Sequence, residues 1–197
     1  MRIIAGKYKA KKLNSPKTDK TRPTLDRVKE ALFSILSCDL EDAYVLDLFS
    51  GTGNLAIEAI SRGAKFAWIN DKENQSVSTI ISNVMLTNCK NYVKITKKDY
   101  TKALAQIQKE EMCFDIIFLD PPYESKYGLE ALQMISEASP QILAKEGIIV
   151  YETDKNFVTK MVKQQKNTED RWDEFENLTC IDERIYGNVV LKMYKWR

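Results

Sequence analysis

The chain has 197 residues, 44% of them apolar and 29% charged, with a formal net charge of +2. This is the length of one domain with a large buried core and the composition of an ordinary globular protein, which excludes a disordered or low-complexity chain. No apolar run approaches the roughly 18–20 residues that cross a bilayer, and there is no histidine, which removes Ser-His-Asp triads, Cys-His pairs and histidine-rich zinc sites.

Four cysteines stand singly at Cys38, Cys89, Cys113 and Cys180 without a C-x-x-C pair, so no metal is expected. The start, MRIIAGKYKAKKL, lacks the apolar core of a signal peptide, and a cytoplasmic location without a membrane partner is the expectation. From Met1 to Arg22 the chain carries Arg2, Lys7, Lys9, Lys11, Lys12, Lys17, Lys20 and Arg22 against the single acid Asp19, a net +7 that leaves −5 elsewhere. Such a run reads as a solvated tail or as an arm that meets phosphates. The strand-like residues from Arg2 to Ala5 are expected to pair with a return strand near Ala10 to Leu13. Residues 1–22 are therefore taken as a small β-extension and 23–197 as the main domain.

TRPTLDRVKEALFSIL follows, with Leu25, Val28, Leu32 and Ile35 at helical spacing and Asp26, Arg27, Lys29 and Glu30 on the opposite face. Pro23 suits a helix start. From Tyr44 strands and helices alternate. YVLDLF, KFAWIN, YVKIT, FDIIFL and GIIVYE read as strands, separated by the helix NLAIEAISRG and by helices near residues 75–86, 102–108 and 129–137. A helix near 156–164 precedes LTCIDERIY and VVLKMYKW, which flank Gly187-Asn188 as a hairpin. Five βα repeats predict an α/β fold, a mostly parallel sheet with helices on both faces, closed by an antiparallel hairpin.

The first βα turn is DLFSGTGNLAIE. Gly51 and Gly53 allow a tight turn and close approach of a ligand at the carboxyl end of the first strand. Gly51-x-Gly53-x-x-Ala56, with Asp71 about 20 residues on, also fits a dinucleotide fingerprint. Asp47 separates the two readings. A carboxylate aimed at the loop repels a pyrophosphate but suits S-adenosylmethionine, which carries an ammonium and a sulfonium. Asp99, after the third strand, is placed to accept from an adenine amino group or to cap the next helix.

The fourth strand ends in DPPY, Asp120 to Tyr123. An exocyclic amino group is a poor nucleophile because its lone pair is delocalised into the ring. Two acceptors on its hydrogens aim that lone pair at a methyl group. Asp120 can be one and the carbonyl of Pro121 the other, held by the restricted backbone of Pro121 and Pro122. Tyr123 can stack on the flipped base.

DPPY with DLFSGTG looks like the class I S-adenosylmethionine-dependent amino-methyltransferases. MRIIAG, KxKKL, TRPTLDRVKEALFSIL, DLFSGTGNLAIEAISRGA and FDIIFLDPPY are similar, in order and spacing, to the RsmD family. The resemblance implies a Rossmann-like, seven-stranded methyltransferase sheet, and transfer of methyl to the N2 amino group of a guanine in 16S rRNA. It implies small ribosomal subunits or their assembly intermediates as partner, and a monomer is expected. It marks Asp47, Phe49, Ser50, Gly51, Gly53, Asp71, Asp99 and Tyr100 for the donor and Asp120, Pro121, Pro122 and Tyr123 for catalysis. Arg2, Lys7, Lys9, Lys11, Lys12 and Arg22 become candidates for RNA. The family usually has Glu where Asp71 stands. A DNA adenine-N6 methyltransferase is the nearest rival, but such enzymes carry an extra recognition region for which the span from Asp120 to Gly147 is short. An NAD-binding Rossmann enzyme is the rival from another class.

Overall fold

The computed structural model describes residues 1–15, 26–122, 125–138, 141–164 and 173–197. Helix α1 (Asp26–Ile35) leads into a βα series: β1 (Tyr44–Asp47), α2 (Asn54–Ser61), β2 (Phe66–Asp71), α3 (Asn74–Thr87) and β3 (Val93–Lys97). It continues as α4 (Tyr100–Lys109), β4 (Phe114–Leu119), α5 (Tyr127–Ser136), β5 (Leu143–Asp154), α6 (Lys155–Gln164), β6 (Leu178–Tyr186) and β7 (Val189–Trp196). The seven strands lie in the order β3-β2-β1-β4-β5-β7-β6. The first five are parallel, while β7 is antiparallel to both β5 and β6. β5 begins earlier than its apolar run suggests, at Leu143, across a register shift against β4.

The strands are apolar on both faces because both faces are covered. Val45, Ile69, Ile116 and Val150 join one buried cluster with α1 and α2. Leu46, Trp68, Ile117 and Tyr151 join the other with α4 and α5. β1 has β2 on one side and β4 on the other. The chain order reverses there, and the crevice outside the strand ends at such a point is where open α/β sheets bind ligands.

Helix α2 is buried at all eight positions, as expected of a helix that is not at the surface. Its outer face is covered by the basic arm. Ile3, Tyr8 and Leu13 are buried in the same cluster as α2, and Gly6 lies so close that a Cβ there would stand 1.8 Å from the carbonyl oxygen of Ser61. The expected pairing of the arm's ends is present as one antiparallel bridge, Arg2 to Lys12, with Ile3 N donating to Lys11 O at 2.9 Å. The residues between them turn instead of extending a ladder.

Polar groups fix this covering. Glu58 accepts from the amides of Ile4 (2.8 Å) and Ala5 (3.0 Å), from Arg62 Nε (2.8 Å) and from Lys29 Nζ (3.0 Å). Lys29 corrects the helical-face assignment: it is fully buried, not on the solvent side of α1. Glu58 Oε2 at 3.0 Å, the Asn54 amide oxygen at 2.8 Å and the Arg2 carbonyl at 2.5 Å explain how a lysine is tolerated there. Burial nevertheless lowers its pKa, against the opposing pull of Glu58. Leu25, Pro23, Lys17, Lys20 and Arg22 lie outside the described residues.

Candidate active site

Each parallel strand delivers its last residues to the crevice. The glycine loop leaves β1 through Phe49 and Ser50, and Gly51 (φ 58°) and Gly53 (φ 79°) take the left-handed conformation that glycine adopts without strain. Nothing lies within 4 Å of a Cβ built at Gly51, so the loop presents open space there. Asp71, at the end of β2, accepts from Gly51 N (2.8 Å) and Glu73 N (2.9 Å). It therefore clamps the loop to the start of α3, and each of its oxygens retains accepting capacity beyond these two bonds. Asn70 beside it donates to the carbonyls of Leu48 (3.1 Å) and Lys98 (3.0 Å), tying three strand ends together.

Asp47 is buried at the end of β1. Its Oδ2 accepts from Ser50 Oγ (2.7 Å) and from Ala56 N in the first turn of α2 (3.3 Å). Its Oδ1 is buried with no hydrogen-bond partner among the described residues. Burial pushes the Asp47 carboxyl up to about 7, against the two hydrogen bonds, with Asp71 adding a like charge. A buried, unpartnered carboxylate oxygen beside the glycine loop fits a cationic ligand. The same carboxylate occupies the helix N-terminus that a dinucleotide's pyrophosphate would need.

Asp99 is the N-cap of α4, accepting from Thr101 N (3.1 Å) and Thr101 Oγ1 (2.8 Å). The capping alternative is thus present, and both groups it accepts from are its own neighbours. Tyr100 is buried, donates its hydroxyl to Glu130, and lies between Phe49 (ring centroids 5.5 Å) and Tyr127 (5.4 Å). Lys72 stands 5.2 Å over the Tyr127 ring, so residues following β2 and opening α5 meet across the crevice.

Asp120 follows β4 and is partly buried; Pro121 is buried and Pro122 exposed. In the register that sets Leu119 opposite Tyr151, the next residues are Asp120 and buried Glu152. Burial, then the charges of Glu152 and Asp47, hold the Asp120 carboxyl well above the usual carboxylate range. Three carboxylates from neighbouring strands thus converge, a focus of negative potential beside the glycine loop. The carbonyl of Pro122 accepts from Ser125 N (3.2 Å) and Oγ (2.7 Å). Gly128 lets α5 start against it: a Cβ there would stand 2.3 Å from Tyr151 and 3.0 Å from the Pro121 ring. Tyr123 lies outside the described residues.

The crevice therefore gathers Asp47, Phe49, Ser50, Gly51, Gly53, Asp71, Asp99, Tyr100, Asp120, Pro121 and Pro122. The sequence did not single out Glu152, Tyr127, Gly128 or Lys72. A signal existed only for Glu152, an acid ending the apolar run GIIVYE. Arg2, Lys7, Lys9, Lys11 and Lys12 lie on the arm over α2 and α3, apart from the crevice. All five are exposed, although Lys11 Nζ is committed to the carbonyl of Leu86 (3.1 Å). Among the described residues no cluster of three metal-ligating acids or cysteines forms, and no helix is long and apolar enough to cross a membrane.

A family model described as Conserved hypothetical protein 95 matches residues 1–195. YlbH of Bacillus subtilis, provisionally named an rRNA methyltransferase, is 36% identical over 155 residues, 79% of this chain and 83% of its own. Ribosomal RNA small subunit methyltransferase D of Haemophilus influenzae is 29% identical over 199 residues, covering 99% and 93%. Among solved structures, the Escherichia coli protein yhhF, provisionally titled a methyltransferase, superimposes with a TM-score of 0.80 at 27% identity, covering 100% of this chain and 98% of that one.

Proposed function

The chain belongs to this family, the RsmD family, and on that premise we propose that it methylates small-subunit ribosomal RNA, at the N2 amino group of a guanine, with S-adenosylmethionine as donor. The observation that carries the reading is the meeting of Asp120 and its proline turn with Asp47 and the glycine loop in one crevice. The donor supplies a methyl group activated by a sulfonium. Asp47 offers its unpartnered Oδ1 to the donor's cationic part. Asp71 adds ribose hydroxyls to the two amides it already accepts from, and Tyr100 with Phe49 walls the base. Asp120 accepts one hydrogen of the target amino group and the carbonyl of Pro121 the other, which draws the nitrogen toward tetrahedral geometry. Tyr123 is assigned to the target base from the motif alone. The reaction needs no histidine, because the sulfonium supplies the driving force and the amine loses its proton late.

The test is transfer of labelled methyl to naked rRNA, to assembled small subunits and to DNA, followed by nucleoside analysis. Label is expected as N2-methylguanosine from small-subunit rRNA. Label in adenine of DNA would overturn the substrate assignment.

Donor binding should depend on pH. Below about pH 7 Asp47 is protonated in the free protein and must lose that proton to meet a cation. Affinity should therefore hold above neutrality and weaken as pH falls, by at most about tenfold per unit for one proton. Calorimetry in buffers of different ionisation enthalpy should record the released proton. An affinity flat from pH 8 to 5.5 would remove Asp47 from the donor's cationic end.

For the arm, reversal of Lys9 and Lys12 to Glu should weaken RNA binding across all sequences and flatten its salt dependence. The log–log slope should fall by about 0.7–0.9 for every phosphate that the arm no longer neutralises. Donor affinity should not change. Superimposable salt curves for wild type and variant would leave the arm without a role in RNA binding.

A further inference from the structure

The chain's basic character is segregated in the fold. Residues 1–15 and 74–98 contain five and four lysines or arginines and not one Asp or Glu, while the whole chain carries only +2. The fold puts these two segments side by side. Asn14 of the arm donates from its side chain to Ser82 Oγ (2.9 Å) and from its backbone to Asn83 Oδ1 (2.8 Å), and Lys11 reaches Leu86 O. The second segment is α3, the turn Lys90–Tyr92, and β3, which is one of the two edge strands of the sheet.

Helix α3 has no charged residue at all. Its outward side shows Ile81, Leu86 and Met85, the last 71% exposed. Solvated helix faces are ordinarily charged, so this one is built for contact. Its fourteen residues span about 21 Å, from Asn74, bonded to Lys97 Nζ beside the crevice, to the turn at Tyr92. At that far end Lys7 Nζ lies 5.7 Å from the Tyr8 ring centroid and 5.8 Å from that of Tyr92, which is 43% exposed.

We propose that the RNA footprint runs from the crevice along α3 to this far end, with Lys7 and Lys90 on phosphates and Tyr92 as a platform on which an unpaired base stacks. The inference rests on the proposed activity and adds to it a surface beyond the arm. Lysines beside an exposed aromatic ring are the pairing that single-stranded nucleic acid uses, and α3 itself presents no acid to repel the phosphates. The occupant is RNA and not a protein because α3 itself carries no acid to answer a basic partner, while Lys7 and Lys90 stand at its far end; of the other cations in the two segments, Arg2 is paired with Asp26 and Lys94 with Glu110.

The experiment measures binding of small-subunit rRNA fragments at several salt concentrations, and methyl transfer, for wild type, Lys90→Glu, Tyr92→Ala and Tyr92→Phe, with Tm as the check on folding. Lys90→Glu is expected to lower the salt slope by about 0.7–0.9. Tyr92→Ala should weaken binding about five- to hundredfold with an unchanged slope, and Tyr92→Phe should keep wild-type affinity. Wild-type binding by both Lys90→Glu and Tyr92→Ala, with normal methyl transfer, overturns the footprint and leaves the activity standing. Loss of binding to assembled subunits alone, with naked RNA bound normally, overturns it in favour of a ribosomal protein on α3. A wild-type chain that neither binds nor methylates rRNA removes the underlying activity instead.

Discussion

Asp120→Ala is expected to stop methyl transfer while leaving the protein folded and the donor bound. In the proposed mechanism the side chain touches the target amino group, so the hydrogen bond lost is one that strengthens as the nitrogen becomes tetrahedral. Such a loss is worth about 3 kcal/mol of transition-state stabilisation, roughly a hundredfold in rate. Stability should not fall, because the substitution takes one acid out of a site it shares with Glu152 and Asp47, whose charges oppose its ionisation. Asp120→Asn keeps an acceptor oxygen and should lose less. Single-turnover rates with saturating RNA make the measurement, and a near-normal rate in Asp120→Ala would remove Asp120 from the chemistry.

Glu58→Ala should have the largest effect on stability of any change away from the crevice. Four donors lose their acceptor at once: Lys29, Arg62 and the amides of Ile4 and Ala5. Lys29 is left in the interior with only the Asn54 amide oxygen and the Arg2 carbonyl. Breaking a buried pair in this way destabilises by about 3–5 kcal/mol, which for a chain of this length lowers Tm by about 6–20 °C. Pairing Glu58→Leu with Lys29→Met removes the stranded charge and should recover part of the loss. Calorimetric melting decides it, and a shift under 2 °C would mean that the arm is held by its apolar residues alone.

What could be read in advance was what lies close together in the chain. The turn after β1, Asp71 at its fixed interval and the prolines after β4 are contiguous patterns, and a parallel sheet places all of them at one edge. The strands were legible for the same reason, as short apolar runs between turn signals. Lys29 and Glu58 were not. A lysine on an amphipathic helix is ordinarily solvated, and only the arm's passage over α2 encloses both. Glu58 is the one charged residue in NLAIEAIS, and only the structure shows it buried. Asn83 resembles any polar residue of a surface helix, yet it is buried, accepting from Asn14 N and donating to the carbonyls of Asn14 and Thr52. Glu152 acquires its place beside Asp120 from strand order, which no local pattern encodes.

The arm's attachment also sets an order of events in synthesis. Ile4 and Ala5 are held by Glu58, 54 and 53 residues later, and Tyr8 by Ser61, 53 residues later. At about 5–20 residues per second, roughly 3–10 s separate the synthesis of Ile4, Ala5 and Tyr8 from that of their acceptors. During that interval the arm's backbone lacks the acceptors that α2 later provides. Closing so long a loop is entropically slow, so docking of the arm belongs to the late steps of folding. In amide exchange, Ile4, Ala5 and Tyr8 should then gain protection after the strands of the central sheet, although they precede those strands in the chain.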